Sequence, residues 1–283
     1  MSRAELVPDR LRGVWKRLEI RRKRNDWKSH TGTEVCYLQT PFAFVDIRRL
    51  KGKKDGEKGK KDGESSMAFG GYTTFVEDKV TNTITVRWHT IYDVDADEVR
   101  DGWKRSWENI LARGKESATD DVGIFTRDGT KKDIWIETDP KNTLKEVWQK
   151  ISDGNGQFLS LLKRNTRDTL LVVVGNSWAI ADAGLRRYTS GYIETHPPSS
   201  DSGRPIKGPT MGGTERMWVP SMEVASPTPS GAAERGVVDE KGRLVLPGSN
   251  IKEYDILPGS TLKITELPGV VFRDSEDESR RGL

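Results

Sequence analysis

The chain has 283 residues and sets 47 Lys and Arg against 43 Asp and Glu, so its net charge of +4 is a small imbalance between two large opposing sets and gives no case for a nucleic-acid partner. A hydrophobic fraction of 34% with a mean hydropathy of −0.69 places part of the chain outside any packed core. The single cysteine, Cys36, excludes an intramolecular disulfide and a Cys-based zinc cluster and fits a reducing compartment, cytoplasmic or nuclear.

Residues 1–12 mix charges and have no apolar stretch of signal-peptide length, so secretion is not expected. The longest apolar run, 170–174, falls far short of the roughly 18–20 residues of a spanning helix. After an N-terminal arm, 1–10, segments rich in β-branched and aromatic residues predict strands at 14–20, 34–38, 42–50, 67–76, 83–92, 122–127, 133–138, 158–163, 170–181 and 185–194. Short strands at this spacing, with too few helices between them for parallel βαβ units, predict an all-β, mainly antiparallel protein with a closed barrel of 8–10 strands.

Two helices interrupt the strand pattern. One is signalled by Asp95 and Glu98, then Val99, Trp103, Trp107, Ile110 and Leu111 on one face, and a stop at Gly114. The second starts at Thr143 with Glu146 as capping partner and groups Leu144, Val147, Trp148 and Ile151, although Glu146 and Trp148 also alternate as they would on a strand. Between strands, KGKKDGE occurs twice in tandem over 51–57 and 58–64, and its glycines and dense charge predict a flexible Lys/Gly-rich loop over 51–66.

The barrel domain is therefore expected over 11–196, which holds every tryptophan but Trp218. Residues 197–235, rich in Pro, Ser and Gly, read as a linker. Within 236–283, a hairpin of 236–239 with 243–246, a short strand at 261–266 and a frayed end are expected.

Candidate site residues come from strand alternation, since successive side chains point to opposite faces. Phe42, Phe44, Asp46 and Arg48 fall on one face of a predicted strand, and a charge buried there needs a partner. On the next long strand Arg87, His89 and Asp93 share a face. His89, which Asp93 could orient, or Asp46 transfers a proton in principle, and Arg48 steadies negative charge, which makes these four the catalytic candidates. Tyr72 and Trp135 complete the expected ligand-binding set of Phe42, Phe44, Asp46, Arg48, Arg87 and His89. The histidines lack metal-ligand spacing, so no metal is expected. No Gly-x-Ser-x-Gly elbow, P-loop or HExxH is present, Gly154-Asn-Gly156 lacks the rest of a dinucleotide fingerprint, and no cofactor is expected.

Gly13-Val-Trp15 resembles the Gly-x-Trp element that opens lipocalins and other calycins. With Tyr37-Leu-Gln39, Phe44-Val-Asp-Ile-Arg48, Phe69-Gly-Gly71, Arg87-Trp-His89 with Asp93, Asp121-Val-Gly123, Glu146-Val-Trp-Gln149 and the run from Leu171 to Gly175, the order of elements resembles an uncharacterised calycin-like group of bacteria and fungi that includes the fungal casein-kinase-interacting protein family. The resemblance implies a calycin-type barrel, two barrel-like halves in the fungal relatives, a structural role for Trp15 at one barrel end, and no established chemistry. The KGKKDGE repeat and the long Pro/Ser-rich tail depart from it. The leading expectation is a barrel that binds a small, largely apolar ligand. The alternatives are a cofactor-free isomerase, lyase or hydrolase using His89, Asp46 and Arg48, and a scaffold that meets a protein partner through its C-terminal tail.

Overall fold

The computed structural model describes residues 6–30, 32–51, 67–93, 121–164, 169–182, 187–196, 215–225, 239, 241, 243–263, 267 and 269–273. The helix expected over 95–114 and nearly all of the KGKKDGE repeat lie outside them.

The first nine strands are β1 (Gly13–Arg22), β2 (Ser29–His30), β3 (Thr33–Gln39), β4 (Ala43–Leu50), β5 (Met67–Asp78), β6 (Thr83–Asp93), β7 (Asp121–Arg127), β8 (Ile134–Thr138) and β9 (Leu144–Ser152). Each pairs antiparallel with its neighbour in the order β2-β1-β3-β4-β5-β6-β7-β8-β9, and β1 pairs again with β9. Apart from the two-residue β2, these strands form a closed antiparallel barrel, which removes sheet edges. One face of each strand lines the interior: Trp15 and Arg17 on β1, Tyr37 and Gln39 on β3, Phe44 and Asp46 on β4, Val86 and Trp88 on β6, Phe125 on β7, Trp135 and Glu137 on β8, Glu146 and Trp148 on β9.

Closure rests on β9, where a helix was expected. Leu144, Val147 and Ile151 satisfy a helical stripe, but the first two are only half-buried and Ile151 is 56% exposed, so that stripe has no core to face. The strand alternation of Glu146 and Trp148 points both into the barrel. Thr143 serves the preceding turn instead of a helix cap, its N–H and Oγ1 donating to the Asp139 carboxylate at 2.6 and 2.7 Å.

The barrel ends at Ser152, so the strands expected to complete it build a second sheet. That sheet contains β10 (Phe158–Lys163), β11 (Thr169–Val174), β12 (Ser177–Asp182), β13 (Arg187–His196), β14 (Glu215–Ala225) and β16 (Tyr254–Ile256), while β15 (Leu244–Pro247) belongs to a separate two-stranded sheet. Its order is β14-β13-β12-β11-β10-β16, all antiparallel. The single strand expected at 170–181 is a hairpin, because Gly175 takes the left-handed conformation (φ 56°) a tight turn requires. β14 falls within the expected linker; it is an edge strand and carries Pro220 at a register shift opposite Gly191, a position where the missing N–H is tolerated.

One face of this sheet, including Leu162, Leu170, Val172 and Ala181, packs on the outer wall of β3, β4 and β5 through Leu38, Val45, Ile47 and Tyr72. A hydroxyl pair, Thr40 Oγ1 and Ser160 Oγ at 2.8 Å, crosses the same junction. Its other face buries Leu161, Leu171, Trp178 and Ile180 against Leu244, Leu246 and Phe272. Leu244–Pro247 pairs parallel with β17 (Val270–Arg273), and across the expected turn the Asp239 N–H donates to Arg243 O at 2.9 Å; residues 236–238 of the expected hairpin lie outside the described set. The backbone N–H groups of Thr261 and Leu262 both donate to Phe158 O, so the start of the short strand expected at 261–266 docks on the second sheet. Residues 264–266 lie outside the described set.

Gly13 has φ +139°, and a Cβ there would collide with the carbonyl oxygen of Ser152 across the β1–β9 seam. Gly13→Ala is expected to lower stability by about 3 kcal/mol, combining backbone strain with a wedge in the closing seam. Urea denaturation of the full chain checks this; an unchanged midpoint would show that the seam tolerates a side chain.

Candidate functional site

The barrel has two chemically different ends. At one, strand starts and ends bring together Trp15, Trp135 and Lys150: the two indoles meet edge to face with centroids 6.3 Å apart, and the Lys150 ammonium sits 4.9 Å above the Trp15 ring. The arm crosses this end, with Val7 and Leu11 buried and the Trp15 indole N–H donating to Leu11 O at 2.9 Å. Trp15 therefore floors the barrel.

Above that floor lies a cavity lined by aromatic rings (Tyr37, Phe69, Trp88, Phe125, Trp148) and polar groups (Gln39, Asp46, Arg48, Thr73, Asp121, Glu137). Gly123 makes the room: a Cβ there would meet Glu137 Oε1 at 2.7 Å and the Trp88 ring at 2.8 Å. The free volume is about 30 Å³. A space of that size takes one or two waters, whereas drug-sized ligands occupy roughly 300–1,000 Å³. The interior is nearly filled by its own side chains.

Those side chains are heavily charged. Arg48 grips Asp46 with a bidentate fork, Nη2 to Oδ2 at 2.8 Å and Nε to Oδ1 at 3.1 Å, and its guanidinium lies 5.1 Å from the Phe69 ring centre. Arg17 Nη1 donates to Glu146 Oε1 at 2.7 Å with both side chains at most 5% exposed, and Arg48 Nη1 approaches the same oxygen at 3.9 Å. The Trp148 indole donates to Glu137 Oε2 at 2.8 Å. Deeper in, the Trp88 indole donates to Tyr37 Oη at 3.0 Å, Tyr37 donates to Gln39 Oε1, and Thr73 Oγ1 donates to the same oxygen at 2.9 Å.

Four carboxyl groups (Asp46, Asp121, Glu137, Glu146) thus share the site with two cations (Arg17, Arg48) among the described residues. Burial pushes the Glu137 carboxyl well up, and repulsion from Glu146 and Asp121 adds to it, so Glu137 holds its proton most readily. Asp46 and Asp121 are raised as well, by burial first, with Arg48 pulling both back. The Arg48 guanidinium responds in the opposite sense: burial alone would lower it, but Asp46 and Glu146 outweigh burial and hold it charged.

The structure divides the sequence-predicted residues between the two sides of the barrel wall. Phe44, Asp46, Arg48 and Trp135 face inward. Phe42 does not: it precedes β4 in a turn pinned by Thr40 Oγ1, which accepts from Ala43 N at 3.0 Å, and it joins the apolar junction with the second sheet. There Phe42 stacks on Tyr72 (5.8 Å between centroids) and Tyr72 on His89 (4.4 Å), while His89 Nε2 bonds Thr74 Oγ1 at 2.8 Å. Since Trp88 points inward, Arg87 and His89 lie on the opposite face, and His89 and Asp46 never face one substrate; the proton-transfer pair expected from the sequence is not assembled. The Asp93 side chain lies outside the described set. Cys36 is half-buried outside the barrel, where burial pushes its thiol up to about 11. Among the described residues no three His, Cys, Asp or Glu side chains converge as metal ligands.

Sequence reasoning missed Arg17, Glu137 and Glu146. Each stands two residues from an inward tryptophan (Trp15, Trp135, Trp148), so a charge at that spacing on an aromatic strand face was the available signal.

No family model matches the chain, and no curated protein matches it. Among solved structures, it is similar to an uncharacterised protein of Saccharomyces cerevisiae, YLR301w, at 12% identity and a TM-score of 0.41, over 63% of this chain and 79% of that one. No helix among the described residues is long and apolar enough to cross a membrane.

Two outcomes test the charge network. Arg17→Met leaves the buried Glu146 carboxylate without its main partner and is expected to cost about 3–5 kcal/mol in urea denaturation; a loss of a few tenths would show the pair to be dispensable. Because the folded Glu137 pKa lies above its unfolded value, the folded state binds the extra proton, and this residue's contribution falls as pH rises from the ordinary glutamate range to the folded pKa. Glu137→Gln, which keeps an acceptor for Trp148, is therefore expected to raise stability at neutral pH, the gain shrinking toward acid pH. A gain that grows on acidification would reverse the assignment.

Proposed function

We propose that the barrel is a binding module whose interior receives the cationic head, an amine or guanidine, of a small molecule with an apolar body. The observation that carries this reading is the surplus of carboxyl groups over cations inside an aromatic-walled cavity. A wholly apolar ligand would bring no further charge or hydrogen-bond partner to this acidic lining. A cationic head would match the acidic lining and lie against the indole faces of Trp88 and Trp148.

The small free volume means that such a ligand enters by displacing a side chain. Arg48 is the group placed to move: its side chain is 17% exposed, against 3% for Asp46, and the strand ends around it (Leu50, Met67 and Asp121) mark the end of the barrel opposite Trp15. A ligand guanidinium or ammonium taking the Arg48 position over Phe69 would inherit the acidic partners Arg48 has there, Asp46, Glu146, Glu137 and Asp121. Recognition then depends on four acidic residues from four strands held in register by closure of the barrel, an arrangement in which few polar groups fix orientation.

Thermal shift and tryptophan fluorescence with methylguanidine, agmatine and tyramine, each beside a neutral isostere, test this. The amines are expected to raise the melting temperature and change emission saturably, and Glu137→Gln to weaken them roughly tenfold. Equal responses to the neutral isosteres, or no saturable response, would sink the proposal.

A further inference from the structure

The end of the barrel below Trp15 opens into a separate cleft of about 550 Å³, within the range that holds small molecules. Its chemistry is the reverse of the interior. Arg10, Arg12, Arg127, Lys132 and Lys150 line it against Asp9, Asp133 and Asp153, with the Trp135 ring and Phe158 as apolar walls. Two of the arginines already have acidic partners, Arg12 with Asp9 and Arg10 with Glu77 at 3.1 Å. Arg127 does not spend its charge in this way: its Nε and Nη2 donate to the neutral carbonyl of Lys132 at 3.2 and 3.1 Å, a bond that fixes the guanidinium along one wall. Lys150 is fixed too, above the Trp15 ring and 3.4 Å from Asp9 O. The cleft thus holds a positive surplus on side chains already positioned, beside two apolar walls.

We infer that this cleft is a second site, for a small organic anion: a phosphate ester or carboxylate held by Lys150, Arg127 and Lys132, with an aromatic or aliphatic body against Trp135 and Phe158. The site is independent of the one inside the barrel, because the Trp15–Trp135 layer separates them. The local electrostatics agree. Burial lowers the Lys150 ammonium to about 8, Arg12 adding to the effect, and the carboxylates of Asp153, Asp133 and Asp9 compensate only in part. An incoming anion supplies what is lacking, so binding favours protonated Lys150 and weakens as pH rises through about 8.

The test uses the full chain at low salt, with phenyl phosphate, inorganic phosphate and phenol as calorimetric probes. Phenyl phosphate is expected to bind saturably, inorganic phosphate more weakly and phenol not at all. Lys150→Met and Lys132→Gln should each weaken phenyl phosphate by roughly tenfold, as loss of one charge-assisted contact does. Lys132 is solvent-exposed, so its variant reads binding even if Lys150→Met perturbs packing around Trp15. Asp153→Asn, which removes a competing carboxylate while keeping the acceptor for Asn155 N, should tighten binding. Equal binding of phenol and phenyl phosphate, or affinity unchanged in both lysine variants, overturns the site; inorganic phosphate matching phenyl phosphate overturns the role of the apolar walls. Glu137→Gln, which acts inside the barrel, should leave all of these values unchanged.

Discussion

Pairing of β1 with β9 is the constraint from which the rest of the molecule follows. Once the ring of strands closes, every alternate side chain is committed to an interior too narrow to admit bulk water, and the opposite set is committed to the outer wall. The consequences differ around the ring. On β3 to β5 the outer set is apolar and receives the second sheet, so these strands are buried on both faces. On β9 the outer set is only partly covered, and Ile151 stands in solvent. The same pleat that directs Phe44, Asp46 and Arg48 inward sends His89 outward, and this decides which chemistry the barrel can hold.

That interior combines two environments that rarely coexist without a reason. Large indole and phenyl rings lower the local dielectric, and carboxyl groups placed among them raise one another's proton affinity. Arg17 and Arg48 neutralise part of the charge, each as a hydrogen-bonded fork or pair and not at a distance. A core filled with aliphatic side chains would be the more stable solution in general, since buried ion pairs often gain little over well-packed apolar groups. The proposed recognition of a cation would use this polar lining, and the proposed anion site uses a cleft of the opposite sign at the other end.

Much of the barrel was legible because its strands alternate cleanly: β1, β3 to β8 and β10 fall within a few residues of their expected places. The point where the barrel stops was not. Ser152 and Phe158 are separated by a short Gly-Asn-Gly turn no different in composition from a hairpin connection, and only the second pairing of β1 reveals that the ring is already complete. β9 was misread because its apolar positions satisfy both periods, and β14 because Pro220 and neighbouring serines resemble linker composition while the strand itself lies at an edge. The site was half legible. Asp46 and Arg48 stood out as a pair, but their partners Glu146 and Arg17 lie 129 residues apart in the chain, and nothing local in the sequence joins them.

The junction between the barrel and the second sheet also shapes how the chain reaches this structure. Leu38 and Val45 are in one cluster with Leu170, Val172 and Met222, residues far apart in the sequence, and Thr40 is bonded to Ser160. The wall they share cannot be dried by either layer alone, so its apolar side stays wet until the second sheet has been made and docked. Long-range pairing of this kind slows folding and leaves apolar strands uncovered during it. During synthesis, therefore, the barrel strands emerge well before the partner that covers them, and the interval before docking is when this protein is most exposed to aggregation.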